Sequence, residues 1–272
     1  KIQDGTLRKN LVEPPWHCPD EYLNLPIHMR QFEMELLTPK AADNGEVVLQ
    51  LHGGGYIAKI RNAYRDFAVR YSKIDQYRVL SVDYRVAPQH PYPAAFQDAL
   101  EAYRWLLYSG FSGDRIILAG DSAGGGLVLA LAMYLRDQSM PLPKKLVMMS
   151  PWTDLTASGP SYQENYENDP LFGNTRESMI YNGEYAGKQD PKLPYISPLF
   201  GDFHGLPPML FQVGSLEMLL SDSVLAAQKA KEAGCDVTLT VYQDMFHVFQ
   251  LSMDKLAESR AAWDEVAAFL GK

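Results

Sequence analysis

The strongest restriction on how this chain can fold is the change of hydrophobic period at Ser122. Residues 115–119, RIILA, form a mostly apolar run suited to a strand covered on both faces. Residues 123–136 instead repeat apolar side chains at intervals of three and four, the spacing of a buried helix. GDSAG fills the junction at 120–124. There the glycines let the backbone turn sharply without a side-chain clash, so that the Ser122 hydroxyl is pushed out at the carboxyl edge of the sheet, with its neighbours' amides facing the same point. Helix capping is the plainer explanation of a serine at such a position; the strand before it and the helix after it favour a nucleophile.

The same alternation runs along the chain. Strand-like runs fall at 32–37, 47–51, 79–83, 115–119, 146–150, 209–213 and 237–242, and helix-like runs at 63–74, 94–108, 123–136, 222–233 and 255–270. Strand then helix, repeated, predicts an α/β protein with a mainly parallel sheet of about eight strands and helices on both faces. The Asp43-Asn44-Gly45 turn between the first two runs predicts an antiparallel hairpin at that edge. Residues 151–208, rich in Tyr, Asn, Pro and Gly, break the rhythm and are expected to lie over the sheet as an insertion. The part from about 152 to 207, with about 1–25, is expected to form a cap within one domain spanning 1–272.

Composition excludes several partners. Lys and Arg number 25 against 33 Asp and Glu, and the net charge of -8 repels phosphate backbones and anionic lipid, so nucleic acid is not an expected partner. The longest mostly apolar stretch, 127–135, falls short of the ~20 residues that cross a bilayer. Cys18 and Cys235 stand in no metal-binding or redox spacing. The sequence opens at Lys1 with neither Met nor an apolar signal segment, so an upstream piece is expected to be missing. A cytoplasmic location is the expectation, with secretion left open by that piece.

HGGGY at 52–56 follows the apolar run 47–51, and its three glycines leave backbone N–H groups unshielded. An HGGG-type loop after a strand is a known oxyanion-binding arrangement, and the amides of Gly54, Gly55 and Ala123 are the candidate donors. A phosphate loop would need Lys and Ser or Thr after the glycines, and none follows. His52 is expected to brace the loop. GxSxG on a strand-to-helix turn belongs to the α/β-hydrolase fold, in which the acid and base follow the serine in that order. Of six histidines, only His204 and His247 lie after Ser122, and His247 follows the last strand-like run at the edge of the sheet beside the nucleophile. The loop after 209–213 offers Glu217 and Asp222 as acid. Glu217 is nearer the strand end, and Ser221 or Asp222 would also serve as a helix N-cap. His247 as base and Glu217 as acid are the assignments.

With HGGGY, DYRVAPQHPYPAAFQDA at 83–99, GDSAGG at 120–125 and FHVF at 246–249 in order, the chain resembles the hormone-sensitive-lipase-like, or bacterial family IV, esterases. The resemblance implies hydrolysis of short-chain carboxylic esters through an acyl-enzyme, without metal or organic cofactor. In that picture 83–85 and 90–91 fix the loops behind the site through buried hydrogen bonds and an ion pair. Glu217 stands where such esterases commonly carry Asp, and Gln89 where Glu is common. The N-terminal segment is short beside such relatives, and a homo-oligomer could cover the opening. Two alternatives stay open: a catalytically silent small-molecule receptor on the same fold, and an amidase, peptidase or sugar O-deacetylase using the same serine. Tyr56, Trp152, Tyr162, Tyr166, Phe172, Tyr181 and Tyr185 could line a pocket; none is assigned to substrate.

Overall fold

The structure, a computed structural model, describes residues 13–41, 43–181 and 183–271. Four strands adjacent in the sheet, with every residue buried, make its centre: β3 (Val47–Leu51), β5 (Ile116–Asp121), β6 (Lys145–Met149) and β7 (Met209–Gly214). Strands of this kind must be covered on both sides, and alternate residues divide between two cores. Val47, Leu49 and Leu51 face one core, and Val48 faces the other. The first core is closed by α2 (Ala94–Tyr108), α3 (Ser122–Asp137) and α5 (Leu220–Glu232), and the second by α1 (Asn62–Asp75) and α6 (Ala257–Leu270). The remaining strands are β1 (Tyr22–His28), β2 (Glu33–Pro39), β4 (Arg78–Asp83) and β8 (Val237–Tyr242), and the sheet order is β1-β2-β4-β3-β5-β6-β7-β8. This is an α/β-hydrolase sheet, parallel from β4 to β8.

The edge differs from the sequence expectation. No hairpin joins β2 to β3: β4 lies between them, antiparallel to β2 and parallel to β3. The sequence VVLQL has no face to leave in water, so it belongs in the interior. Residues 43–45 carry the chain past β4 instead of folding it back, and Asp43 pairs with Arg78, the first residue of that strand, at 2.8 Å. The edge hairpin is formed by β1 and β2. Residues 22–25, expected in a cap, therefore belong to the sheet; residues 1–12 of that expected cap lie outside the described residues. Among the described residues no helix is long and apolar enough to cross a membrane.

The long connection from β6 to β7 passes over the carboxyl edge of the strands and contains, among the described residues, one short α-helix, α4 (Ser161–Glu164), and a single 3-10 turn at Pro198–Phe200. Two buried carboxylates anchor its start. Asp154 gathers the N–H and hydroxyl groups of Thr156 and Ser158. Asp222 accepts the N–H groups of Thr153 at 2.7 Å and Asp154 at 2.8 Å. Asp222 is thus not the N-cap of α5; it lies in the first turn and turns inward to hold the insertion. Farther along, Tyr185 stacks on Tyr56 with ring centres 3.7 Å apart.

Two predictions come from this packing. Trp263 on α6 is buried, edge-to-face with both Phe67 and Tyr71 of α1 at 5.0 Å. Trp263→Ala is expected to cost about 3–5 kcal/mol, read from urea unfolding. Burial, then the charge of Asp154, pushes Asp222 up to about 8 from its ordinary 3.8. The folded chain therefore holds a proton that the unfolded chain releases between about pH 4 and pH 8, so this contribution to stability is complete below pH 4 and is lost as pH rises through 8. Asp222→Asn should remove that slope: the stability of the parent minus that of the variant should fall by up to about 1.4 kcal/mol per pH unit from pH 5 to 8. Parallel urea midpoints across that range would contradict the assignment.

Candidate active site

Ser122 joins β5 to α3 at φ 51°, directly after an extended Asp121 at φ -123°, ψ 153°. Such a reversal within one residue brings α3 against the strand ends, and the glycines at 120 and 124 leave room for it. A β-carbon on Gly124 would sit 2.0 Å from the Leu51 carbonyl oxygen, and one on Gly120 would sit 2.5 Å from the Gly124 carbonyl oxygen. The hydroxyl consequently stands beside the loop that follows β3.

His247 lies in the loop after β8, held by Val248 at the left-handed φ of 50°. Its Nε2 is 2.9 Å from Ser122 Oγ, and its Nδ1 is 2.8 Å from Glu217 Oε2. Glu217, in the loop after β7, is fully buried; its other oxygen accepts the Ser150 hydroxyl at 2.7 Å and the Gly214 N–H at 2.6 Å. A buried carboxylate needs such donors, and here they aim Oε2 at the imidazole. Ser150 also accepts the Val248 N–H at 3.1 Å, so one hydroxyl ties the Glu217 loop to the His247 loop. From the insertion, Asn165 donates to the Glu217 carbonyl at 2.8 Å, Asp169 accepts the Met218 N–H at 2.7 Å, and Phe172 sets its ring 4.9 Å from that of His247.

The 52–55 loop approaches from β3. Gly54 and Gly55 have φ of 110° and 62°, and among the described residues no acceptor takes their N–H groups or that of Ala123. His52 is buried, stacked 4.1 Å from Tyr84, with Nδ1 2.7 Å from the Gly53 carbonyl. Burial lowers its pKa to about 4, so it is a neutral brace at neutral pH. Tyr84 donates to the His52 carbonyl, and Arg85 forms a forked ion pair with buried Asp98. Ser122, His247 and the glycines border a cavity of about 510 Å³, whose walls are largely apolar: Ile57, Leu171, Phe172, Met179, Val248 and Leu251.

The structure brings together Ser122, His247, Glu217, Gly54, Gly55 and Ala123. It leaves His204 exposed beside Asp202 and turns Asp222 away to Thr153 and Asp154. Of the seven aromatic candidates, only Phe172 borders the cavity; Tyr56, Trp152, Tyr162 and Tyr185 are buried in the core beneath it. Sequence reasoning missed Ser150, whose one signal is its place at the end of a strand-like run, level with the other strand ends.

A family model described as the alpha/beta hydrolase fold matches residues 48–251. An acetyl-hydrolase of Streptomyces hygroscopicus is 39% identical over 230 residues, covering 85% of this chain and 77% of that protein. An esterase of Acinetobacter venetianus is 35% identical over 224 residues, covering 82% and 74%. The crystal structure of an esterase from the bacterial hormone-sensitive lipase family superposes with a TM-score of 0.87 at 38% identity, over 94% of this chain and 86% of that one. With the sheet described above, this family match and these relatives, the chain belongs to the hormone-sensitive-lipase-like, bacterial family IV carboxylesterases of the α/β-hydrolase fold and is a serine carboxylesterase.

Proposed function

We propose that Ser122 is the nucleophile, His247 the general base and Glu217 the acid, with the N–H groups of Gly54, Gly55 and Ala123 as oxyanion donors, in the hydrolysis of short-chain carboxylic esters. The observation that carries this reading is the unbroken hydrogen-bond chain from Ser122 Oγ to His247 at 2.9 Å and on to Glu217 at 2.8 Å, beside a glycine loop whose Gly54 and Gly55 N–H groups meet no acceptor among the described residues. His247 Nε2 takes the hydroxyl proton as Oγ attacks the ester carbonyl. The amides receive the charge that forms on the carbonyl oxygen, and such donors contribute roughly 2.7–4 kcal/mol each. The imidazolium then protonates the departing alkoxide. Water repeats the cycle on the acyl-enzyme and frees Ser122. Glu217 keeps Nδ1 protonated and stabilises the imidazolium.

Residues 13–271 are read as one catalytic domain, in which the insertion supplies Leu171, Phe172 and Met179 to the rim of the cavity. A cavity of about 510 Å³ suits a small ester. The relatives include proteins named acetyl-hydrolase and ethyl acetate hydrolase, which supports short acyl groups here. A silent receptor on this fold would have no use for a serine bonded to a histidine.

Ser122→Ala is expected to lower kcat on p-nitrophenyl acetate by at least about 10⁴-fold, and Glu217→Gln by about 10³–10⁴-fold. Across p-nitrophenyl acetate to decanoate, kcat/KM should be greatest for short acyl chains. Equal rates for the parent and Ser122→Ala would end the proposal. Ser150→Ala should lower kcat roughly ten- to a hundredfold at similar KM, because Glu217 and the His247 loop lose their shared tie.

A further inference from the structure

One buried carboxylate stands between the nucleophile and the glycine loop and has no part in the proton path. Asp121 immediately precedes Ser122 and is 3% exposed. Its Oδ1 accepts the N–H of Gly53 at 3.0 Å, and its Oδ2 accepts the hydroxyl of Tyr64 at 3.1 Å. Gly53 lies against it so closely that a β-carbon there would be 2.2 Å from Oδ2.

The position of this bond in the loop gives it its meaning. Before it, Tyr84 holds the His52 carbonyl; after it, the Gly54 carbonyl accepts the N–H groups of Ile57 and Ala58 at 3.1 and 3.0 Å. Both of those ties hold the loop to itself or to the end of β4. The Asp121–Gly53 bond ties it to the residue covalently joined to Ser122. The N–H of Gly54 belongs to the peptide that begins at Gly53, so fixing Gly53 against Asp121 fixes the first oxyanion donor relative to the attacking oxygen. Burial pushes the pKa of Asp121 up to about 6, opposed by His247 and by the hydrogen bonds from Tyr64 and Gly53, so the carboxylate is ionised in mildly alkaline assays, the form that accepts from both donors.

We propose that Asp121 is a positioning residue for ester hydrolysis: supported by Tyr64, it holds the 53–55 loop in register with Ser122 Oγ, so that the Gly54 and Gly55 amides meet the oxyanion as it forms. This inference rests on the roles of Ser122 and the loop amides proposed above. It predicts that the interaction acts on the transition state more than on bound substrate.

The test uses the full chain at pH 8 with p-nitrophenyl acetate, a reversible trifluoromethyl ketone that forms an oxyanion on the nucleophile, and thermal melts of Asp121→Ala, Asp121→Asn and Tyr64→Phe. Asp121→Ala should lose roughly 10²-fold in kcat, with KM within about threefold and ketone affinity falling in parallel with kcat/KM. Asp121→Asn should recover most of kcat, because its amide oxygen can still accept from Gly53 and its NH₂ can donate to the Tyr64 oxygen. Tyr64→Phe should fall between, with a loss of roughly three- to tenfold. An Asp121→Ala protein with unaltered kcat, a loss confined to KM, or an Asp121→Asn protein as slow as Asp121→Ala would overturn the inference. If Asp121→Ala does not fold, Tyr64→Phe decides, and parental kcat and ketone affinity in that variant overturn it as well. Labelling of the parent by a fluorophosphonate separates the two readings: failure to modify Ser122 removes the nucleophile assignment, whereas labelled Ser122 with unaltered kcat in the variants removes only the role of Asp121.

Discussion

Everything in the site depends on how closely the start of α3 meets the end of β3. The Leu51 carbonyl oxygen stands 2.0 Å from where a β-carbon on residue 124 would be, a contact that only glycine permits. Parallel pairing of β3 with β5 brings their carboxyl ends level, with Leu51 opposite Gly120. Those two facts set the residues after Leu51 beside the residue after Asp121. Ser122 and the glycine loop are neighbours because the sheet is parallel there and because the helix can approach without a side chain in the way. Larger spacing at this contact would separate Ser122 from the loop donors, however well each loop was formed.

The buried carboxylates show how placement of donors decides what each acid does. Glu217 is enclosed, and its two oxygens divide the work: one is occupied by Ser150 and Gly214, and the other meets His247. Asp222, five residues on, is as deeply buried but spends its hydrogen bonds on the backbone of the insertion, and burial leaves it protonated at neutral pH. Ser150 and Gly214 hold the near oxygen while the far one reaches the imidazole.

Much of this was legible in the sequence because it depends on local order. The change from strand period to helix period at 122, the glycines on either side, and the apolar runs of five or six residues are all contiguous, and each constrains the backbone where it stands. The edge of the sheet was less legible. Asp43-Asn44-Gly45 reads as a hairpin turn, but the strand that enters between β2 and β3 begins only at Arg78, beyond the whole of α1. Its register, with Leu51 beside Val82, is a non-local pairing that no short pattern around residues 43–45 could announce. Strand β1 carries little sequence signal because it is an edge strand in which only Tyr22 is buried and which contains Pro26. Ser150 and Tyr64 carry no motif at all; their roles arise from contacts across 67 and 57 residues of chain.

The insertion and the Glu217 loop are not separate parts. Asn165 and Asp169 reach from the insertion to the backbone at 215, 217 and 218, on both sides of the Glu217 side chain, while Phe172 rests against the His247 ring three residues farther on. A displacement of 165–172 would therefore move the backbone that aims the carboxylate as well as the wall that covers the imidazole. The apolar rim formed by Leu171, Phe172 and Met179 sits on the same segment. In this chain the groups that shape the cavity and the groups that orient Glu217 and His247 share one set of anchors, so changes at that wall are mechanically linked to the geometry of the Ser122–His247–Glu217 chain.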